Sequence, residues 1–371
     1  MPMTAPIEAK TGVVLLTAED AKPAHEHEVH IKLAERLANI LGTEFFPAAL
    51  SAAAGERRYY LPTDTLIDPE RYRQLGIETD RDFFGGMVSQ PFMATKAISH
   101  PLPGGAMSPL GWTDDFALRA SDALLRGYSV FSLADAQMAA DLLFIDGPLR
   151  LKPVRATAGR GQCVIHNRNE LDAILSQLDE EEISTWGLVL EENLTDVETF
   201  SVGQVMVAGI IASYYGTQNL TQDHAGETVY GGSELVLVRG DYDQLLQLDM
   251  DKPTRLAVNQ ARLYEQAAIA ALPGFVASRR NYDVARGTNA QGKLRSGVLE
   301  QSWRIGGASS AEVLALEAFA DDLTLQRLRA STHEIYGETE LPADATLFYQ
   351  GDDSDVGFIT KYARVRPYDH P

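Results

Sequence analysis

The chain has 371 residues, 45% of them apolar, which suits two or three packed units better than one. Asp plus Glu number 52 against 32 Lys plus Arg, a net charge of -20 that repels nucleic-acid backbones and anionic membranes, so neither is an expected partner. The single cysteine, Cys163, excludes an internal disulfide and fits a reducing compartment. The N-terminal MPMTAPIEAKTG has no long apolar core, and runs such as VMVAGIIA are too short to span a bilayer. A cytoplasmic protein is therefore expected.

In chain order, GVVLL (12–16) reads as a buried strand. Val29, Leu33, Leu37 and Leu41 then recur at helical spacing until Gly42 ends the pattern. His25, His27 and His30 sit at this helix start on a polar face and read as solvated side chains rather than metal ligands. Residues 51–117, rich in Pro and Gly, read as an irregular connection with one strand, RRYYL. Ser132 opens a helix with Asp135 three positions on. LRLKPV and GQCVI form two strands around the loop ATAGRGQ, and Leu171, Ile174, Leu175 and Leu178 mark the next helix.

GLVLEENL is a strand, and TFSVGQVMVAGIIASYY reads as two more, turning at Ala208 and Gly209. Residues 216–233 read as a long polar excursion; with Tyr214, Tyr215, Gln218, His224 and Tyr230 around it, it is where substrate recognition is expected. A helix from Pro253 to Leu272 leads to the strands NYDVA and SGVLEQS. Ser309 and Glu312 then stand at capping-box spacing at the start of the last long helix. Beyond Gly337 the tail reads as loop with one strand, GFITKYARV.

The loop ATAGRGQ is neither a Walker loop nor a dinucleotide fingerprint, since GxxxxGK and GxGxxG are both absent. Small residues around two glycines leave backbone amides able to close over phosphates, with Lys152 as a point charge on the preceding strand. Downstream come Glu191 at a strand end and Glu198 before the next strand. Further on, Asp283 and Glu300 lie on neighbouring strands, where two carboxylates can share a hard cation such as Mg²⁺. Arg304 and the glycines before a helix add a planar fork and free amides for an anion. Ser302 has no nucleophile elbow around it, which argues against a serine hydrolase.

This order of lysine strand, glycine-rich loop, hinge glutamate, aspartate strand and glutamate strand resembles the ATP-grasp superfamily. The resemblance covers roughly residues 90–330 and implies an α/β fold, α+β in its ATP-grasp part. A Rossmann-like domain (1–95) would precede a two-lobed ATP-grasp module, one lobe carrying the glycine-rich loop (96–190) and the other the metal and substrate site (191–371). It implies ATP and Mg²⁺ as cofactors. By resemblance Lys96 and Lys152 would contact the nucleotide, and Thr157, Gly159, Arg160 and Gly161 would fold over the triphosphate. Glu191, Glu192 and Leu194 would line the adenine and Glu198 would reach the ribose. Asp283, Glu300 and Ser302 would face magnesium, and Arg304 with Lys152 would serve catalysis. The superfamily often carries Glu-x-Asn on its last strand, whereas EQS here puts Ser302 at the asparagine position. The implied activity is an ADP-forming carboxylate-amine ligase, with a small-molecule carboxylate and amine as substrates and a homodimer as assembly. A nucleotide-binding protein without ligase activity and a small-molecule kinase are the alternatives.

Overall fold

The computed structural model describes residues 9–17, 23–47, 56–154 and 162–368. Gly12–Leu16 is the middle strand of a three-stranded parallel sheet, between Phe45–Phe46 and Arg58–Pro62. Helix Ala24–Leu41 follows it and ends where Gly42 takes up a left-handed φ of 65°, a conformation that costs glycine nothing. Its buried stripe includes Leu33, Ala34, Leu37 and Ala38. His25 and His30 are buried, not solvated; only His27 faces water. His25 is drawn in because its Nδ1 lies 3.1 Å from Asp353, which also accepts its backbone N–H.

The segment expected to be an irregular connection carries more order than its composition suggests. Leu66–Ile67, Gly86–Val88 and the distant Val276–Ala277 form a small mixed sheet. Short 3-10 turns at Pro91–Ala94 and Lys96–Ile98 follow, the second capped by the Thr95 hydroxyl.

A four-stranded antiparallel sheet comes next, in the order Gly127–Val130, Leu188–Glu192, Leu149–Pro153, Cys163–Ile165. Helix Leu133–Phe144 is capped by Ser132, whose side chain accepts from Asp135 N as its spacing implies. Leu171 and Leu175 of helix Arg168–Leu175 pack with Leu149, Leu151, Leu188 and Leu190.

The largest sheet has eight antiparallel strands, in the order Leu294–Ser302, Arg279–Thr288, Thr195–Val207, Ile210–Gln222, Thr228–Arg239, Arg327–Ile335, Gly357–Pro367, Ala345–Asp353. Ala208 (φ 52°) and Gly209 (φ 77°) make the tight turn of its first hairpin, where two positive φ values match the twist of the strands. Alternate residues serve opposite faces. Phe200, Val202, Val236 and Val238 pack with helix Lys252–Ala271. Val205, Val207, Leu235 and Leu237 pack with helix Ser309–Asp321 and with the N-terminal helix. From the first of these helices Gln260 reaches the outermost strand, donating to Ser296 O at 2.9 Å.

Three further expectations are corrected. Residues 216–233 are hairpin rather than excursion: the strands run on to Gln222 and resume at Thr228, because backbone pairing continues through them whatever the polarity of their side chains. The tail holds two strands, Ala345–Asp353 as well as Gly357–Pro367, paired with each other. Ser309 and Glu312 form no capping box, since the N-cap is Ala308 and Glu312 is fully buried against Arg279. Among the described residues no helix is long and apolar enough to cross a membrane.

Candidate active site

A cleft of about 1810 Å³ opens where the four-stranded sheet, the eight-stranded sheet and the N-terminal unit meet. Lys96, Lys152, Asp283, Glu300, Ser302 and Arg304 all line it, so the structure gathers six residues spread over two hundred positions. Asp283 and Glu300 are direct partners across their strands, with Leu299 as the extra residue of a bulge beside them. Lys96, 5% exposed and held in its capped turn, sets Nζ 2.7 Å from Glu300 Oε2. Gln218 donates to Asp283 Oδ1 at 2.8 Å.

The electrostatics follow from this crowding. Burial, then the facing negative charge of Glu300, pushes the Asp283 carboxyl up to about 7. Burial opposes ionisation of Glu300 as well, but Lys96, with Lys152 and Arg304, outweighs it and holds that carboxyl below its usual range. Behind them Lys152 and Glu191 form an ion pair that is almost wholly buried. His100 Nε2 lies 3.3 Å from Glu191 Oε2. Against the cost of burial, Lys152 and His100 bring Glu191 down to about 2, while the same burial lowers Lys152.

A second network braces the floor of the cleft. The Arg279 guanidinium meets Glu312 through two hydrogen bonds of 2.9 Å. It also donates to Ser302 O at 3.0 Å and to Ser302 Oγ at 3.1 Å. Tyr214 donates its hydroxyl to Glu312 Oε1 and accepts from Asn281 Nδ2 at 3.0 Å. Arg304 donates to Ile305 O at 2.9 Å and leads into Gly306 and Gly307, which also line the cleft. Tyr230 packs against Gly307 so closely that a Cβ there would lie 2.4 Å from its ring.

Residues 13–363 match the family described as "Protein of unknown function (DUF3182)". The chain belongs to that family. Comparison with curated proteins gave no match. Among solved structures, the chain is similar to phosphoribosylamine–glycine ligase from Thermotoga maritima (14% identity over 96% of this chain and 92% of that one, TM-score 0.46). It is also similar to D-alanine–D-alanine ligase from Bacillus anthracis complexed with ATP (14%, 83% and 95%, 0.43). A third is a RimK domain ATP-grasp protein from Sphaerobacter thermophilus (15%, 84% and 98%, 0.39).

Not every residue expected at the site of this DUF3182 chain reaches the cleft. Glu192 is turned to the back of the sheet, where it accepts from Arg295 and Asn289. The Leu194 side chain packs with Leu125 and Ala285, and Glu198 is exposed and pairs with Arg286 across the strands at 3.5 Å. Thr157, Gly159, Arg160 and Gly161 lie outside the described residues. Of the residues expected to recognise substrate, Gln218, His224 and Tyr230 line the cleft. Tyr214 is buried in the brace and Tyr215 packs against the core on the opposite face. Sequence reasoning missed Arg279, Asn281, Glu312 and His100. Arg279 and Asn281 had a local signal, being four and two residues before Asp283 and so on the same face of its strand.

Proposed function

We propose that this DUF3182 protein is an ATP-grasp ligase. It would transfer the γ-phosphoryl group of ATP to a small-molecule carboxylate, giving ADP and an acyl phosphate, which an amine or other nucleophile then attacks with release of phosphate. The observation that supports it best is the Asp283–Glu300 pair beside two buried lysines on the wall of one large cleft. The cleft volume exceeds that of ordinary single-ligand pockets and suits a nucleotide together with substrates.

The donor set fits magnesium: two facing carboxylates, one kept protonated up to about pH 7 by burial and by the charge of the other, are all-oxygen ligands of the kind that ion takes. When bound, it would neutralise charge on the phosphates and orient them. Lys96 and Lys152 supply fixed positive charge to the same end, and Arg304 offers a fork for the carboxylate or acyl phosphate. Such chemistry needs positioning and charge neutralisation more than covalent help. Residues 157–161 over the triphosphate and the backbone of the Glu191–Leu194 segment at the adenine belong to this reading by resemblance. So do the divisions at 1–95, 96–190 and 191–371. Glu198 would have to leave Arg286 to reach the ribose.

The test is ADP release with MgATP across amino acids and small carboxylates, each with and without amines. Release that requires both an acid and a nucleophile is the expected result. ADP together with a stable phosphorylated product from one substrate would make the protein a kinase. MgATP binding without turnover on any combination would overturn the ligase reading.

A further inference from the structure

The superfamily pattern puts an amide oxygen two residues after the metal-binding glutamate, and here that residue is Ser302. Its hydroxyl is already engaged by the Arg279 guanidinium at 3.1 Å, so it faces a cation. Among the described residues no third His, Cys, Asp or Glu side chain joins Asp283 and Glu300 into a metal-binding group. Directly across the strands from Ser302, however, stands Asn281.

Asn281 is 7% exposed, lines the cleft and lies two residues from Asp283 on the same face. Its orientation follows from counting protons. Tyr214 spends its only hydroxyl proton on the Glu312 carboxylate, which Arg279 holds charged, so towards Asn281 the hydroxyl can only accept. Asn281 Nδ2 donates to it at 3.0 Å and to Ser201 Oγ at 2.7 Å. Both amide hydrogens are thereby used. Oδ1 accepts no hydrogen bond from any described residue. Gly203, the cross-strand partner of both Asn281 and Tyr214, makes the lock possible, because a Cβ there would sit 2.3 Å from the Tyr214 hydroxyl.

We propose that Asn281 Oδ1, not Ser302 Oγ, joins Asp283 and Glu300 as the third protein oxygen for the divalent cation. The amide ligand has moved one strand inward, to the same rung of the ladder. This rests on the nucleotide–magnesium reading above. An oriented carboxamide oxygen is a competent hard-cation ligand, whereas a hydroxyl beside a guanidinium is not.

The test is Mn²⁺ binding to the full chain, followed by electron paramagnetic resonance in the presence of a non-hydrolysable ATP analogue. Asn281→Ala is expected to weaken Mn²⁺ binding about tenfold or more. Asn281→Asp gives up the two amide hydrogens but adds an anionic oxygen, so it is expected to hold Mn²⁺ within about tenfold of the parent, and Ser302→Ala to stay within about twofold of it. If Asn281→Ala does not fold, Asn281→Asp decides alone, a larger loss there overturning the assignment. Parent-like binding by Asn281→Ala, or an equal loss in Ser302→Ala, would also overturn it while leaving the nucleotide reading intact. A parent protein that binds no Mn²⁺ with the nucleotide would remove both.

Discussion

Asp283 ties the chemistry of the cleft to the pH dependence of the fold. Its carboxyl titrates at about 7 in the folded chain against about 3.9 for a free aspartate. Between those values the native state holds a proton that the unfolded state has lost, so stability falls as pH rises from about 4 to about 7. Asp283→Asn removes that proton exchange. The variant is expected to melt higher than the parent at pH 8, by on the order of 1–2 kcal/mol after screening by cleft water, and to show a flatter profile between pH 5 and 8. Melting curves that superimpose at every pH would show that another group titrates there. At this scale the sequence was legible where chemistry follows order along the chain: Lys96, Lys152, Asp283, Glu300 and Arg304 were all named and all line the cleft. Asn281 was not, because the orientation of its amide depends on what Tyr214 and Ser201 do to its two hydrogens, and no spacing rule carries that.

Helix Ser309–Asp321 shows how a local pattern can be overruled by burial. The spacing of Ser309 and Glu312 suits a solvent-exposed capping box. The first turn is packed under the sheet instead, and Glu312 there serves Arg279, the two side chains being 0% and 1% exposed. Glu312→Ala would leave the guanidinium buried without its counter-ion, and a loss of roughly 3–5 kcal/mol is expected in urea unfolding. A loss below about 1 kcal/mol would mean that water reaches Arg279 and that the brace matters little. The elements most visible in the sequence were a strand apolar throughout, Gly12–Leu16, and a helix with one apolar side, Ala24–Leu41. The Ile210–Gln222 and Thr228–Arg239 hairpin was read short because its far half carries polar residues at the cleft, among them Gln218 and Tyr230. Alternation of polarity cannot mark a strand where the covered face is itself polar.

Across the whole molecule, one apolar cluster runs from Val13 and Leu33 at the N-terminus to Leu316 and Ala363 near the other end, so the first and last parts of the chain share a core. The strand that bears Glu300 is the outermost of its sheet on one side, with only one neighbouring strand to satisfy its backbone. Gln260 plugs one rung of the open side, next to where the backbone of residues 123–125 lies against Gly297: it is 5% exposed, donates to Ser296 O and to Asp122 O, and accepts from the Ser296 hydroxyl at 2.7 Å. Uncovered strand edges recruit strands from other chains. Gln260→Leu keeps the bulk of the plug and removes its hydrogen bonds, so light scattering is expected to rise with concentration while far-ultraviolet dichroism stays native. A variant as monodisperse as the parent would show that the plug is dispensable. Otherwise a chain that loses it bares part of the strand that carries Glu300 to the next molecule as a template, and the damage would be seen in the pellet of a cell extract before it was seen in an assay.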